Sequence, residues 1–195
     1  EADMLIRQKT HNSKSIDDFA KAFFGIDNGS YVTVGYTFDD VVKALNSVVP
    51  YDWAAFLHAR VDGINTDPLG GLKLGGYKLV FTDKPTDYIT SGEKIRKSTD
   101  LLFSLGVILD KKGAATEVMW GGPAMKAGIT VGTEIVAVNG EEFDADDLKD
   151  AITDAKTDKA PLQLLVKKDK QYRSVSVDYH GGLRYPHLER LPNTP

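Results

Sequence analysis

Cysteine is absent from the 195-residue chain, which excludes disulfides and thiolate metal sites and leaves the redox compartment open. A basic excess is absent too. Lys and Arg number 24 against 28 Asp and Glu, for a formal net charge of −4. That balance offers no electrostatic footprint for nucleic acid or an anionic membrane. No apolar run approaches the roughly 20 residues that a membrane-spanning helix needs. The opening residues, Glu1 to Arg7, hold neither an initiator methionine nor a signal peptide and read as the middle of a helix. The expectation is a piece of something longer. What remains is ordinary for globular protein: 42% apolar and 27% charged residues, in a length comfortable for two small domains.

The first third reads as helical. Ser15 is an N-cap for Ile16, Phe19, Ala20, Phe23 and Phe24, which fall on one stripe, and Asp18 completes a capping-box pattern. Gly25 closes that helix. Thr37 caps a second helix, Phe38 to Val49, and Pro50 separates it from a third, Tyr51 to Val61. A short β-branched stretch, Tyr31 to Val34, lies between the first of these helices and the second. Tyr77 to Phe81 alternates as a strand, and the polar stretch from Thr82 to Asp100 reads as a linker or edge open to proteolysis. Beyond it the pattern turns β-rich, with strands expected at Gly106–Asp110, Thr116–Met119, Glu134–Val138, Leu162–Lys167 and Ser174–Asp178. One helix stands among them, from Ala145 to about Ala155, capped by Asp144.

Three pieces in this region occur in an order that resembles the PDZ family. Ser104-Leu105-Gly106-Val107 is similar to its carboxylate-binding loop. Gly121-Gly122-Pro123-Ala124-Met125-Lys126-Ala127-Gly128-Ile129 is similar to the Gly-Ser-Pro-Ala-x-x-Ala-Gly-Leu turn of bacterial members. Val131-Gly132-Thr133-Glu134-Ile135 through Asn139-Gly140 is similar to the strand that follows, with Thr133 where the family usually has Asp. The resemblance implies an α+β fold: an N-terminal helical segment, then a PDZ domain built as a small, partly open β-barrel with helices. It also implies a groove that captures peptide or protein C-termini. Gly106 would let the loop present successive main-chain N–H groups into one concavity that holds a carboxylate, with Leu105 and Val107 lining the pocket for the terminal side chain. The peptide would add as a strand beside Val107, Ile108, Leu109 and Asp110. Leu148, Ile152 and Ala155, at i, i+4 and i+7, would form the far wall. Leu148 stands where many family members place a His, so an apolar residue is expected two before the peptide's end. Two other readings stay open: the helix residues are core contacts only, or the loop is closed by the protein's own segment and the module is a structural spacer.

Nearly the whole chain resembles the C-terminal third of the glycyl aminopeptidase family of zinc metallopeptidases. The stretches are Asp3 to Arg7, Lys14 to Ala20, Tyr36 to Val41, Pro50 to Trp53 and Asp178 to Arg190. The implied layout is residues 1–67 as the last helices of a thermolysin-like catalytic domain, 68–99 as linker and edge strand, 100–180 as PDZ domain and 181–195 as tail. A bacterial protein is implied, in cytoplasm or periplasm. Zinc is expected in the full-length parent and no cofactor in this piece. The family's His-Glu-x-x-His is missing: His11, His58, His180 and His187 contain no i, i+4 pair. No catalytic residue is therefore assigned, and the remaining catalytic domain is an expected partner. Ser91-Gly92-Glu93-Lys94 matches a Ser-x-x-Lys acylase pattern but has no companion motif.

Overall fold

The computed structural model describes residues 1–64 and 67–192. The last three residues of the expected tail lie outside that description. The chain divides into two compact units, residues 1–78 with the chain's end from Leu188, and residues 79–187.

The first unit is helical because its caps are local and complete. Helix α1 spans Ala2–Lys9, α2 Ile16–Phe24, α3 Phe38–Val48, α4 Trp53–Val61 and α5 Gly70–Leu74. Ser15 and Asp18 form the capping box of α2, the Asp18 carboxylate accepting from the Ser15 amide at 2.8 Å. Thr37 and Asp40 repeat it for α3, and those bonds hold the Asp40 carboxyl below the usual carboxylate range. Asp52 caps α4 through the amide of Ala55, so that helix starts at Trp53 and not at Tyr51. Leu5, Ile6, Leu45, Val48, Val49, Trp53 and Phe56 make one core. The β-branched stretch 31–34 is not a strand: its side chains are exposed, and among the described residues no strand pairs with it.

Strand β1 covers Tyr77–Thr82 and pairs with β9, Tyr185–Arg190. In the second unit the stretch expected as linker or edge holds a helix and an edge strand. Thr86 caps helix α6, Asp87–Arg96, and strand β2 follows at Ser98–Leu101. The composition is polar because α6 buries none of its residues. Next come β3 (Val107–Asp110), β4 (Ala115–Val118), the short helix α7 (Pro123–Lys126), β5 (Glu134–Val138) and β6 (Glu141–Glu142). Helix α8 (Ala145–Asp158), β7 (Leu162–Lys168) and β8 (Gln171–Val177) complete it. The strands form a sheet in the order β2-β3-β4 and another in the order β6-β5-β7-β8. Both sheets are open. Ala114 and Glu134 bridge them. At the β5–β6 turn Asn139 and Gly140 have φ of +51° and +96°, the left-handed pair that a two-residue hairpin demands. Thr133 is buried and its hydroxyl accepts from the Thr130 amide, so the departure from Asp keeps the bond of a turn. One core, from Leu101 through Val177, lies between the sheets and α8.

Candidate functional site

The loop between β2 and β3 presents its amides inward. The Ser104 and Gly106 amides both donate to the Leu101 carbonyl, at 3.1 and 3.0 Å. Gly106 is at φ +80°, and a Cβ there would meet the Gly122 Cα at 3.3 Å. Only glycine gives this close approach without strain. The Gly106 and Leu105 carbonyls accept from the Met119 and Ala124 amides, both at 2.8 Å, which fixes the loop from behind.

Strand β3 has a partner on each side. β4 pairs with it on one edge. On the other, β2 pairs antiparallel with Ser98 opposite Asp110, Thr99 opposite Leu109, Asp100 opposite Ile108 and Leu101 opposite Val107. The place beside Val107–Asp110 where a peptide was expected to add is thus occupied by the chain itself. Leu101 is 0% exposed and shares the core of Leu105, Val107, Leu148, Ile152 and Ala155. Thr99 is 7% exposed. Asp100 faces the other way: its amide donates to the Glu93 carboxylate of α6 at 2.7 Å.

Helix α8 is capped by Asp144, whose carboxylate accepts from the Asp146 and Asp147 amides. It turns Leu148, Ile152 and Ala155 into the core. Of the nine residues expected to contact a peptide, Leu105, Val107, Leu109, Leu148, Ile152 and Ala155 share one core, while Ser104, Gly106 and Ile108 are buried outside that cluster.

A second segment, from Tyr179 to Tyr185, crosses the same region. The Arg184 amide donates to the Ser104 hydroxyl at 3.0 Å. His180 Nδ1 lies 2.8 Å from the Ala155 carbonyl at the end of α8, and its Nε2 lies 2.8 Å from Asp178. Tyr179 donates to the Gly182 carbonyl, and burial pushes its phenol up. Burial also pushes Tyr185 up to about 12, with Glu93, Asp100 and Asp146 adding to the shift because a phenolate beside carboxylates is disfavoured. The unfolded phenol ionises near 10. Below that pH both states hold the proton; between 10 and about 12 only the unfolded state releases it, so stability falls as pH rises through this window. About 2–3 kcal/mol should be lost there. Denaturation of Tyr185→Phe at pH near 8 and near 11 should show a flatter decline than the native chain; an unchanged slope would refute the assignment.

Neither His180 nor His187, whose Nε2 lies 2.7 Å from the Lys84 carbonyl, joins a metal-type cluster. Among the described residues no three His, Asp or Glu side chains gather to hold an ion. No described helix is long and apolar enough to cross a membrane.

The profile of the PDZ domain family matches residues 115–159, from β4 to the end of α8. The chain contains a PDZ domain. No curated protein matches it. The crystal structure of the HtrA3 PDZ domain bound to a phage-derived ligand (FGRWV) is similar at 19% identity over 60% of this chain and 93% of that one, with a TM-score of 0.29. An aminopeptidase N family protein from Idiomarina loihiensis is similar over 97% of this chain at 12% identity, with a TM-score of 0.63. That likeness is one of fold, and this chain spans 32% of the length of the Idiomarina protein.

Sequence reasoning missed β2 and the Tyr179–Tyr185 segment as parts of the PDZ site. A signal for β2 was available: Thr99 and Leu101 alternate with Asp100, with two residues between Leu101 and Ser104-Leu105-Gly106.

Proposed function

We propose that the chain is a non-catalytic, C-terminal part of a zinc aminopeptidase of the glycyl aminopeptidase type, and that its PDZ domain is a structural or gating module closed on its own chain. The observation that carries the second half is the double pairing of β3. A peptide captured by strand addition needs a free edge, and here β2 takes it while the Leu101 carbonyl takes the loop amides. The fold likeness to an aminopeptidase N family protein supports the first half. The histidines of this chain do not fit a zinc site, so any metal chemistry needs residues other than these, and no step is assigned to this chain. Exposed Phe24, Ile26, Val34 and Tyr36 line one apolar pocket in the helical unit, of the kind a catalytic domain would cover.

Capture of peptide C-termini is the second reading, supported by the intact loop geometry around Gly106. Titration separates the two. Labelled peptides with free carboxyl ends and their amidated counterparts should bind the native chain alike, weakly and without saturation at micromolar concentration. Saturable binding that amidation abolishes would overturn the closed reading.

A further inference from the structure

We infer that β2 is a tethered ligand of the PDZ groove, latched by Glu93, and that the vacated groove takes free C-termini ending in Leu with Thr or Val two places before. This rests on the self-filled reading above and adds what would replace the filler.

The case is geometric. β2 runs antiparallel to β3 with its C-terminal end at the loop, the direction that an added peptide must take to deliver its carboxylate there. Its last carbonyl, that of Leu101, receives the Ser104 and Gly106 amides. Its last side chain is buried in the core that holds Leu105, Val107, Leu148 and Ile152. Thr99, two before it, is the other buried residue of the strand. The apolar Leu148 favours an apolar residue at that point, and the tethered strand carries the β-branched Thr99, so Val should serve as well as Thr.

The strand is held imperfectly. The Ser98 hydroxyl is buried without a hydrogen-bond partner, which costs stability in the closed state. Leu101 offers the loop one neutral carbonyl, where a free C-terminus offers a carboxylate and stronger, charge-assisted bonds. What favours β2 is tethering, equivalent to roughly millimolar ligand, together with the Glu93 bond to the Asp100 amide on the outer edge. Weakening the latch raises the fraction of open groove, and apparent affinity rises in proportion.

The test uses the whole chain and a short labelled peptide ending Ser-Thr-Asp-Leu, free or amidated. Glu93→Ala removes the latch from a half-buried position on α6, outside both cores. Leu101→Ala removes the tethered side chain. Each variant should bind the free peptide at least about tenfold more tightly than the native chain, the loss of one charge-assisted bond being of that size. Amidation should abolish the gain. A Val-Asp-Leu ending should match, and a Trp-Asp-Leu ending should fail. Bound peptide should also speed amide exchange across residues 98–101 while leaving β4 protected. If Leu101→Ala does not fold alone, added peptide should restore its cooperative unfolding; failure to do so counts against the inference. Folded variants as blind to the peptide as the native chain would overturn it. Tight, carboxylate-dependent binding by the native chain without faster exchange in β2 would instead overturn the self-filled reading.

Discussion

Replacing Trp53 with alanine should destabilise the helical unit by about 3–5 kcal/mol, the range for removing a large aromatic from a packed core. Trp53 is 0% exposed and sits between α1, α3 and the start of its own helix. Its ring meets Phe56 edge-on with centroids 5.4 Å apart and Tyr51 at 5.2 Å. Such pairs add to burial. The indole Nε1 also donates to the Val49 carbonyl at 3.0 Å, a bond buried where water cannot replace it. Alanine would leave both a cavity and an orphaned acceptor. A domain's whole stability is of order 5–15 kcal/mol, so amide protection of Leu5, Ile6 and Leu45 should fall by roughly a hundredfold or more. A change under about 1 kcal/mol would mean that this core is not packed as described.

Elements fixed by neighbours in sequence were readable from the sequence. Ser15 with Asp18, Thr37 with Asp40, and Asp144 each announce a helix start through bonds spanning three residues, and each bond is present. The β-rich half was readable because turn residues punctuate it: Asn139-Gly140 and the glycines around Pro123 leave little choice of strand boundaries. Elements fixed by distant partners were not. Ser98 to Leu101 is four residues long with two polar and one acidic, so the alternation of Thr99 and Leu101 around Asp100 is its one local mark as a strand. It is a strand because β3 needs a neighbour and the loop amides need an acceptor, and both needs are tertiary. Tyr31 to Val34 shows the converse, with good strand residues and no partner.

The candidate site follows the same rule. The sequence marks the loop and the helix wall because Gly106 and the i, i+4, i+7 spacing of Leu148, Ile152 and Ala155 are local patterns. It does not say whether a groove is empty. Buried β2, the Glu93 contact and the Arg184 bond to Ser104 depend on where segments 6 to 80 residues away come to rest, and periodicity carries no information on that.

Ile152→Ala gives the sharpest distinction between a filled and an open groove. In an open groove the inner face of α8 meets solvent until a ligand arrives, and truncating a half-exposed side chain costs little more than its buried share. Here Ile152 is 0% exposed and lies in the same core as Leu101, Leu148 and Leu164. Removing its three outer carbons deletes their transfer energy and leaves a cavity that the β2–β3–β4 sheet and α8 can only partly close. The expected loss is about 2–5 kcal/mol, near the full cost of a buried aliphatic truncation. Because α8 is held at its start by Asp144 and near its end by the His180 contact to Ala155, collapse of the helix onto the void is restricted, which favours the upper part of that range. Urea denaturation read by far-UV circular dichroism measures it, with an unchanged m-value as the control that the unfolded state is the same. A loss under about 1 kcal/mol would show that the wall is solvent-facing and that β2 does not fill the groove in solution.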